Sequence, residues 1–380
     1  MLGCALVFFA ALLAGRASLA QDTGIVKEVE KLLKAKVGDD VIVSYIENKG
    51  RPATLSAEEI IELKAAGATD PVLVALLGGK RPGGFPFNLD EQHEVLAPVV
   101  QGPLAVYPIL RKGPASVGTY LTLDEATERK IVMIAEKEGG EVPVVIIRNT
   151  GTLPVYLSAG EVIIGGKQDR MIAHDVLIEA GKELTVEVRC VEHGRWSGAS
   201  DLFLSGKALG GGKARFSVQF KGQGDVWADV ATQNAAVGAQ PSSGTYNAAL
   251  TNPEVEAKYQ EYARAMMPKL EGRNTVGTVV AINGKVQSVD IFASPSLFQK
   301  MKDKLLKAVV LDVIGVKDAG AAEPGKDAIL DFYKSTMAAQ AVELKRYGDN
   351  CNFKRESGAA AANESLDTGG QMLHRSLQAK

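Results

Sequence analysis

The sequence predicts an α+β protein. Its main domain is expected to be β-rich and sandwich- or barrel-like, with C-terminal helices and a hairpin, and a small helical repeat module is expected to precede it. Apolar residues recur at helical spacing in two similar copies before residue 78. Short apolar or alternating runs follow from about Val95 to Phe220, beyond a glycine-rich segment. A length of 380 residues agrees with two or three such units.

Residues 1–20 are predicted to be a signal peptide. An apolar block from Cys4 to Ala14 is followed by Ser18-Leu19-Ala20, whose small residues suit cleavage after Ala20. The alternative is a membrane anchor, but the block is shorter than the ~18 residues that span a bilayer. We therefore expect an exported protein, periplasmic or extracellular, that does not span the membrane once the signal is removed.

Residues 21–77 are predicted to form the helical repeat module. Each copy has the pattern helix, short turn, helix, and Leu32 in the first copy matches Leu63 in the second. Ser56 and Glu59 form the capping-box pattern of a helix start. A single helix pair cannot bury its apolar face alone, so we expect the copies to pack on each other. Such a module is a candidate for docking a protein partner.

Composition sets the remaining boundaries. Residues 78–93 are predicted to be a linker, because the run from Gly78 to Gly84 contains four glycines and a proline, which disfavour both helix and strand. The main domain is then expected over residues 94–347. Residues 348–380 are small and polar, and we expect them to be disordered.

The main domain begins with short strand-like runs separated by turn residues, as is typical of a sandwich or barrel. Leu121–Glu128 is predicted to be a helix among them, because Thr122 and Glu125 form a capping box. The predicted strands are Leu104–Leu110, Lys130–Ile134, Val142–Ile147, Val155–Leu157, Val162–Ile164, Asp175–Ile178 and Ala214–Phe220.

The last third of the main domain mixes helices with a hairpin. Apolar spacing predicts helices over Pro253–Leu270, from Ser296 to about Val313, and from Lys326 to about Arg346. Asn283-Gly284 lies between two apolar runs and predicts a two-residue hairpin turn.

Two polar runs, about twenty residues apart, each follow an apolar strand-like stretch. Folding alone does not require this density of polar side chains at two strand ends. Neighbouring strands lie about 5 Å apart, so their ends can lie side by side. We expect Glu161, Lys167, Gln168, Arg170, Glu192 and Arg195 to meet in one place. The two runs are Gly160-Glu161 with Gly165-Gly166-Lys167-Gln168-Asp169-Arg170, and Cys190-Val191-Glu192-His193-Gly194-Arg195-Trp196.

The chemistry of these side chains suggests their roles. Cations at Lys167, Arg170 and Arg195 would hold an anion, and Trp196 would stack on a ring. Glu161, Glu192 and Cys190 are the candidate catalytic residues. The candidate ligand-binding residues are Gly165, Gly166, Lys167, Gln168, Asp169, Arg170, His193, Arg195, Trp196 and Trp227.

Cys190 has two interpretations. It is either a small apolar residue buried near a strand end, or a thiolate nucleophile that Arg189, His193 or Arg195 would activate. The sequence leaves both open.

Other kinds of site are not indicated. A phosphate-binding loop would need glycine where Glu161 stands and a hydroxyl where Gln168 stands. A weaker version remains, in which the paired glycines Gly165 and Gly166 let backbone amides approach an anion. The four histidines show no metal-ligand spacing, so no metal is expected. A net charge of −2 gives no basic footprint for nucleic acid.

The same residues carry a resemblance to a known family. The chain resembles the ADP-ribosylglycohydrolase- and rhodanese-phosphatase-superfamily-associated protein domain over roughly Glu94 to Tyr347. Four segments carry the likeness in the family's order: Tyr120–Ala126, the two polar runs and Gln223–Trp227. The resemblance implies a ligand related to ADP-ribose or other NAD-derived compounds, and it leaves any cofactor unknown. An asparagine is common in the family where Asp169 stands, so an acceptor replaces a donor there.

Three functions are consistent with the sequence. The first is an exported binding domain for a small anionic compound that resembles a nucleotide or a sugar phosphate. The second is a hydrolase or glycosidic-bond enzyme at the same site, with Glu161 or Glu192 as acid or base. The third is a structural or interaction protein of the cell envelope, in which the motif residues form a buried polar network.

Overall fold

The computed structural model describes residues 24–50, 52, 55–77, 84–114, 118–137, 142–198, 200–321 and 323–380. The predicted signal peptide lies outside these residues. Contacts divide the chain into two compact units, one up to Phe85 and one from Pro86. In the described part of the chain, no helix is both long enough and apolar enough to cross a membrane.

The first unit consists of two helix pairs, as the repeat predicts. The helices are α1 (24–34), α2 (Asp39–Lys49), α3 (Ala57–Ala65) and α4 (Asp70–Leu76). Ser56 and Glu59 form the expected capping box at the start of α3. Val29, Leu63 and other apolar residues of all four helices share one core, which shows that the two copies bury each other's apolar faces.

The second unit contains seven helices and nineteen strands among its described residues. The helices are α5 (Leu123–Glu128), α6 (Gly212–Phe220), α7 (Gln223–Ala236), α8 (Asn247–Leu250), α9 (Pro253–Leu270), α10 (Pro295–Val313) and α11 (Lys326–Met337). The strands up to the barrel's last member are β1 (Phe87–Asn88), β2 (His93–Val95), β3 (Val99–Gln101), β4 (Leu104–Arg111), β5 (Leu121–Thr122), β6 (Val132–Glu136), β7 (Val144–Asn149), β8 (Val155–Leu157), β9 (Glu161–Gly165), β10 (Arg170–Ile172), β11 (Val176–Ile178), β12 (Glu183–Cys190) and β13 (Leu202–Leu209). The later strands are β14 (Thr275–Ile282), β15 (Lys285–Phe292), β16 (Val342–Tyr347), β17 (Asn350–Glu356), β18 (Ala360–Leu366) and β19 (Met372–Ala379).

The strands of the second unit form three sheets. A ten-stranded sheet has the order β1-β2-β4-β14-β15-β19-β18-β17-β16, with β3 also paired to β4. Six strands, β10-β12-β7-β6-β13-β9, close into a barrel, and β11, β8 and β5 form a small third sheet. One apolar core fills the barrel and its surroundings, and a larger one packs α9 and α10 on the ten-stranded sheet. The predicted α+β class with a barrel-like β-rich domain is confirmed.

Several local predictions are also confirmed. Thr122 caps α5 through the expected capping box, and β14 and β15 form the hairpin around Asn283. Helices α9 and α10 lie within a residue of their predicted bounds. These are the elements whose end signals are strongest in the sequence.

Two predictions of element type are wrong. Residues 214–220 form part of α6 rather than a strand. Apolar and polar residues alternate here in the sequence, but the helix buries both kinds, Arg215 and Gln219 included, so the alternation does not mark one buried and one exposed face. The helix that begins at Lys326 ends at Met337, and Val342–Tyr347 is a strand instead of the helix's last turns.

The expected disorder of residues 348–380 is also wrong, because strands β17 to β19 occupy most of this segment and β19 pairs with β15 in the large sheet. Several of its polar residues are buried and bonded to each other: Asn363 donates to Asn352 at 3.0 Å, and Asn350 donates to Ser365 at 3.1 Å. Composition misleads here because paired polar groups can replace an apolar core. The last part of the predicted linker likewise contains β1 and the start of β2.

A buried charge network joins the last strand to the rest of the unit. His374 on β19 lies 2.9 Å from Asp175 and 3.2 Å from Asp290. Arg215 of α6 donates to Asp290 at 2.7 Å and to Ser376 at 3.2 Å. Burial favours the neutral imidazole, but the two carboxylates outweigh it and raise the pKa of His374 to about 9. His374 therefore carries a positive charge at neutral pH.

The free energy of unfolding should fall as the pH rises from about 6.5 to about 9. The reason is that His374 keeps its proton to about pH 9 when folded but only to about pH 6.5 when unfolded. Urea unfolding at about pH 6 and about pH 10 measures this loss. The control is His374→Gln, whose stability gap to wild type should be wide at the lower pH and narrow at the higher. A gap that stays constant would show that His374 is not charged in the folded chain.

Candidate functional site

The barrel brings both polar runs to one of its ends. Strand β9 ends at Gly165, β10 begins at Arg170 and β12 ends at Cys190. Strand β10 lies between the other two, with Arg170 opposite Cys190. Because these strands are antiparallel, the end of β9, the start of β10 and the end of β12 lie at the same end of the barrel. We call this the motif end.

The turn at Gly165 and Gly166 is filled by the protein itself. Both residues have positive φ angles, +130° and +51°, and a Cβ atom on Gly165 would lie 2.5 Å from a carbonyl oxygen of β13. The amide of Gly165 donates to Asp169 at 3.1 Å, that of Gly166 to a β13 carbonyl at 3.1 Å, and that of Lys167 to Glu136 at 3.0 Å. The amides that a phosphate-binding turn would offer to an anion are therefore already bonded.

Arg195 clamps this turn to the second polar run. Its guanidinium donates to Glu192 at 2.9 Å and to Asp169 at 3.1 Å. It also donates to the carbonyl oxygens of Gly166 at 2.7 Å and Gly165 at 3.3 Å. Its fifth acceptor is the Ser197 carbonyl oxygen at 3.4 Å. A planar guanidinium that is bonded to five acceptors is pre-organised and loses little further entropy. Arg195 thus holds the geometry of the motif end.

Further hydrogen bonds close the same network. The Gln168 side chain donates to the Glu192 carbonyl at 2.7 Å. Thr245 donates to the Asp169 carboxylate at 2.7 Å, and the Asp169 amide donates to the Glu192 carboxylate at 3.1 Å. Burial is the main cause that raises the pKa of Asp169 above its usual range. Gln168, Asp169, Glu192 and Arg195 form one continuous group.

Arg170 belongs to a second, deeper group. It is 1% exposed and donates to Glu136 at 3.0 Å and to the Cys190 sulfur at 3.0 Å. The side chain of Gln223 brackets the backbone of Cys190, accepting from its amide at 2.9 Å and donating to its carbonyl at 2.7 Å. This pair of bonds ties α7 to the end of β12.

Glu161 lies away from the motif end. It begins β9, four residues before Gly165, so it stands about 13 Å along the strand toward the other end of the barrel. There its carboxylate forms an ion pair with Lys304, which also pairs with Asp124 at 2.7 Å. Burial raises the pKa of Glu161 in spite of Lys304. The expectation that Glu161 meets the other motif residues is wrong.

The three candidate catalytic side chains are all buried. Glu161 and Cys190 are 1% exposed and Glu192 is 3% exposed. Burial raises the pKa of the Cys190 thiol, and the nearby Arg170 offsets only part of this rise. For Glu192, burial is outweighed by hydrogen bonds from Arg195 and Ser243, and its pKa lies below the usual range. A thiol that keeps its proton and a paired carboxylate are poorly placed for nucleophilic or acid–base work.

The exposed motif residues form a separate surface. Lys167, His193 and Trp196 are exposed, and 60% of Trp196 is accessible. The half-buried Trp227 meets the His193 ring edge to face, with centroids 4.4 Å apart. Within the described part of the chain, the Lys167 ammonium has no ion-pair partner. We call these four residues the motif surface.

The sequence reasoning missed several residues that build the motif end. Glu136 pairs with Arg170, Thr245 bonds Asp169, and Ser243 accepts from the Gly194 amide at 2.7 Å. Glu136 carried a signal, because it lies between the predicted strand Lys130–Ile134 and the paired glycines Gly139 and Gly140. Thr245 and Ser243 lie in a loop whose return to the barrel depends on tertiary structure alone.

Comparison with known proteins agrees with this architecture. The family model of the ARG and Rhodanese-Phosphatase-superfamily-associated Protein domain matches residues 92–378. The chain belongs to this family, as the resemblance of its motifs predicted. The match extends through the strands of the last thirty residues and so includes His374. Searches of curated proteins and of solved structures found no significant match.

The described residues contain no group of three or more histidine, cysteine, aspartate or glutamate side chains that could hold a metal ion. The carboxylates of the motif end are bonded to arginine instead.

Arg170→Met should lower the free energy of unfolding by about 3–5 kcal/mol, because it leaves the Glu136 carboxylate buried without its cation. Lys167→Met is the matched control, and it should change stability by no more than about 0.5 kcal/mol because Lys167 is exposed. Urea unfolding measures both. An Arg170→Met protein as stable as wild type would show that this buried ion pair does not hold the barrel end.

Proposed function

We propose that this protein binds a small anionic compound that resembles a nucleotide or a sugar phosphate, and that the ligand rests on the motif surface. One observation carries the proposal. Lys167 and Trp196 are exposed at the motif end, whereas their polar neighbours Asp169, Glu192 and Arg195 are bonded to one another. Arg195 joins the two segments through the Gly165 and Gly166 carbonyls, so one bonded network carries both an exposed cation and an exposed indole, as a recognition site requires.

The chemistry of the motif surface fits the two halves of such a ligand. The Lys167 ammonium is a mobile point charge suited to a phosphate group. The Trp196 indole offers a flat face on which a base can stack, a contact worth about 1–3 kcal/mol. His193 and Trp227 extend the aromatic surface. Membership of a family associated with ADP-ribose processing supports the same ligand class.

Isothermal titration calorimetry with ADP-ribose tests this function. Lys167→Met should weaken binding at least about tenfold, the equivalent of about 1.4 kcal/mol. Trp196→Ala should weaken it about five-fold or more, because the base loses its stacking surface. Both variants should melt at the wild-type temperature, since neither side chain is buried.

Lys182→Met is the matched control for Lys167→Met. Lys182 is also exposed, but it lies just before β12 begins, whereas the motif end is where β12 ends, at Cys190. Its loss should therefore leave binding unchanged. Equal affinity of Lys167→Met and wild type would refute the assignment of the surface. Absence of binding by ADP-ribose, AMP and ribose 5-phosphate alike would refute the ligand class.

A protein-interaction role is the second candidate. Leu202 and Leu204 on the outer face of β13 are 52% and 66% exposed, and β13 begins at the motif end. Exposed apolar side chains that lie close together are typical of interaction surfaces. If this surface binds a protein, Leu204→Ser should abolish capture of that partner, and added ADP-ribose should not change the capture.

We also propose that the protein is exported. The apolar block that begins at Cys4 and the small residues before Gln21 motivate cleavage between Ala20 and Gln21. Mass spectrometry of the mature protein should therefore find Gln21 as the first residue. A chain that keeps Met1 in a cytoplasmic fraction would contradict export.

A further inference from the structure

A cleft of about 620 Å³ opens on another part of the second unit. Helices α6, α7 and α10 form its walls, together with strands β14, β15 and β19 of the ten-stranded sheet. Val280, Leu311 and Phe216 give it apolar surface. It shares no lining residue with the motif surface, and its volume is that of a site for a small organic molecule.

A carboxylate lines the cleft beside a glycine run. Asp312 accepts hydrogen bonds from the Gly212 amide at 2.7 Å and from the Gln233 side chain at 3.0 Å. A Cβ atom on Gly211 would lie 2.1 Å from the Gln233 nitrogen and 2.5 Å from Asp312, so only glycine permits this approach. A carboxylate can accept about four hydrogen bonds, and Asp312 accepts two from the protein. The remaining lone pairs are free for a ligand.

Two buried side chains on the sheet wall also have unused hydrogen-bonding capacity. Ser288 and Gln378 are register partners on β15 and β19, and both line the cleft. Gln378 is 2% exposed and Ser288 is 5% exposed. The Gln378 amide nitrogen donates to Ser376 at 2.9 Å. Neither the Gln378 amide oxygen nor the Ser288 hydroxyl has a hydrogen-bond partner among the residues that the structure describes.

Polar groups that line a cleft and lack protein partners can bind a ligand that completes their hydrogen bonds. The cleft groups with unused hydrogen-bonding capacity are the Asp312 carboxylate, the Gln378 amide oxygen and the Ser288 hydroxyl. They require a ligand that donates hydrogen bonds. The apolar walls favour a ligand that has C–H surface between its polar groups.

Charge narrows the class of ligand further. Lys213 and Arg215 lie close enough to Asp312 to oppose the rise of its pKa, which burial takes to about 6. Charges of both signs line the cleft, so a cationic or an anionic ligand would each meet like charges there; they are Lys213, Arg215, Lys221 and Lys380 on one side of the balance, and Asp229 and Asp312 on the other. A neutral donor-rich molecule avoids both penalties.

We propose that this cleft is a second binding site, separate from the motif surface, and that it takes a neutral polyhydroxylated molecule such as a free pentose or hexose. Hydroxyl groups of the sugar donate to Asp312, to Gln378 and to Ser288, and its C–H faces pack on Val280 and Leu311.

Saturation-transfer NMR on the full chain tests the site, with D-ribose and D-glucose as probes. Wild type should transfer saturation to at least one of the two sugars. Ser288→Ala and Gln378→Leu should each weaken binding about five-fold, because each removes one hydrogen bond to the ligand. Ser288→Ala is a small change, so it keeps the test valid if Gln378→Leu fails to fold.

Ser296→Ala is the matched control. Ser296 is exposed in the first turn of α10, about 24 Å along the helix from Asp312, and its loss should leave sugar binding at the wild-type level. No transfer to either sugar, or wild-type affinity in Ser288→Ala, would overturn the proposal. Because the probes are uncharged and the variants lie in the cleft, this outcome is independent of ADP-ribose binding at the motif surface.

Discussion

The second unit depends on a rule that applies to every buried charge: each must keep its partner. Arg215, His374, Asp290 and Asp175 are all nearly inaccessible, and each pairs with another of the four. They come from α6, β19, β15 and the segment before β11, so one network joins the large sheet to the elements beside the barrel. Loss of one partner leaves a charge stranded in the core, which costs far more than the pair contributes.

The same rule divides the polar side chains of the motif end into a bonded frame and an exposed surface. Arg195 has five protein acceptors and Arg170 has a buried carboxylate, so neither guanidinium is available to an anion without breaking existing bonds. The side chains of Lys167 and Trp196 are not bonded into this network, and both are exposed to solvent. The motif residues are therefore of two kinds, and only the exposed kind can recognise a ligand while the barrel stays intact.

Local signals in the sequence predicted those parts of the fold that local physics decides. The capping box at Thr122, the Asn283-Gly284 turn and the paired glycines all lie where their chemistry requires. Long-range pairing escaped prediction. Glu161 was expected to join the other motif residues, but it begins β9, four residues before the end of that strand, and pairs there with Lys304 of α10. The sequence around His374 gives no sign that this residue contacts Asp290 and Asp175, which lie far away along the chain. Its polar segment therefore resembled a disordered tail.

The two tryptophans allow the most direct test of the division between frame and surface. Each indole N–H gives its own signal in a ¹H–¹⁵N NMR spectrum, and Trp196→Phe assigns both, since the chain has only two tryptophans. Addition of ADP-ribose should shift the Trp196 indole signal in wild type and leave it in place in Lys167→Met. If the signal does not move in wild type, the motif surface is not where an anionic ligand binds. If it moves equally in both proteins, Lys167 does not hold the anion, and the account is contradicted there.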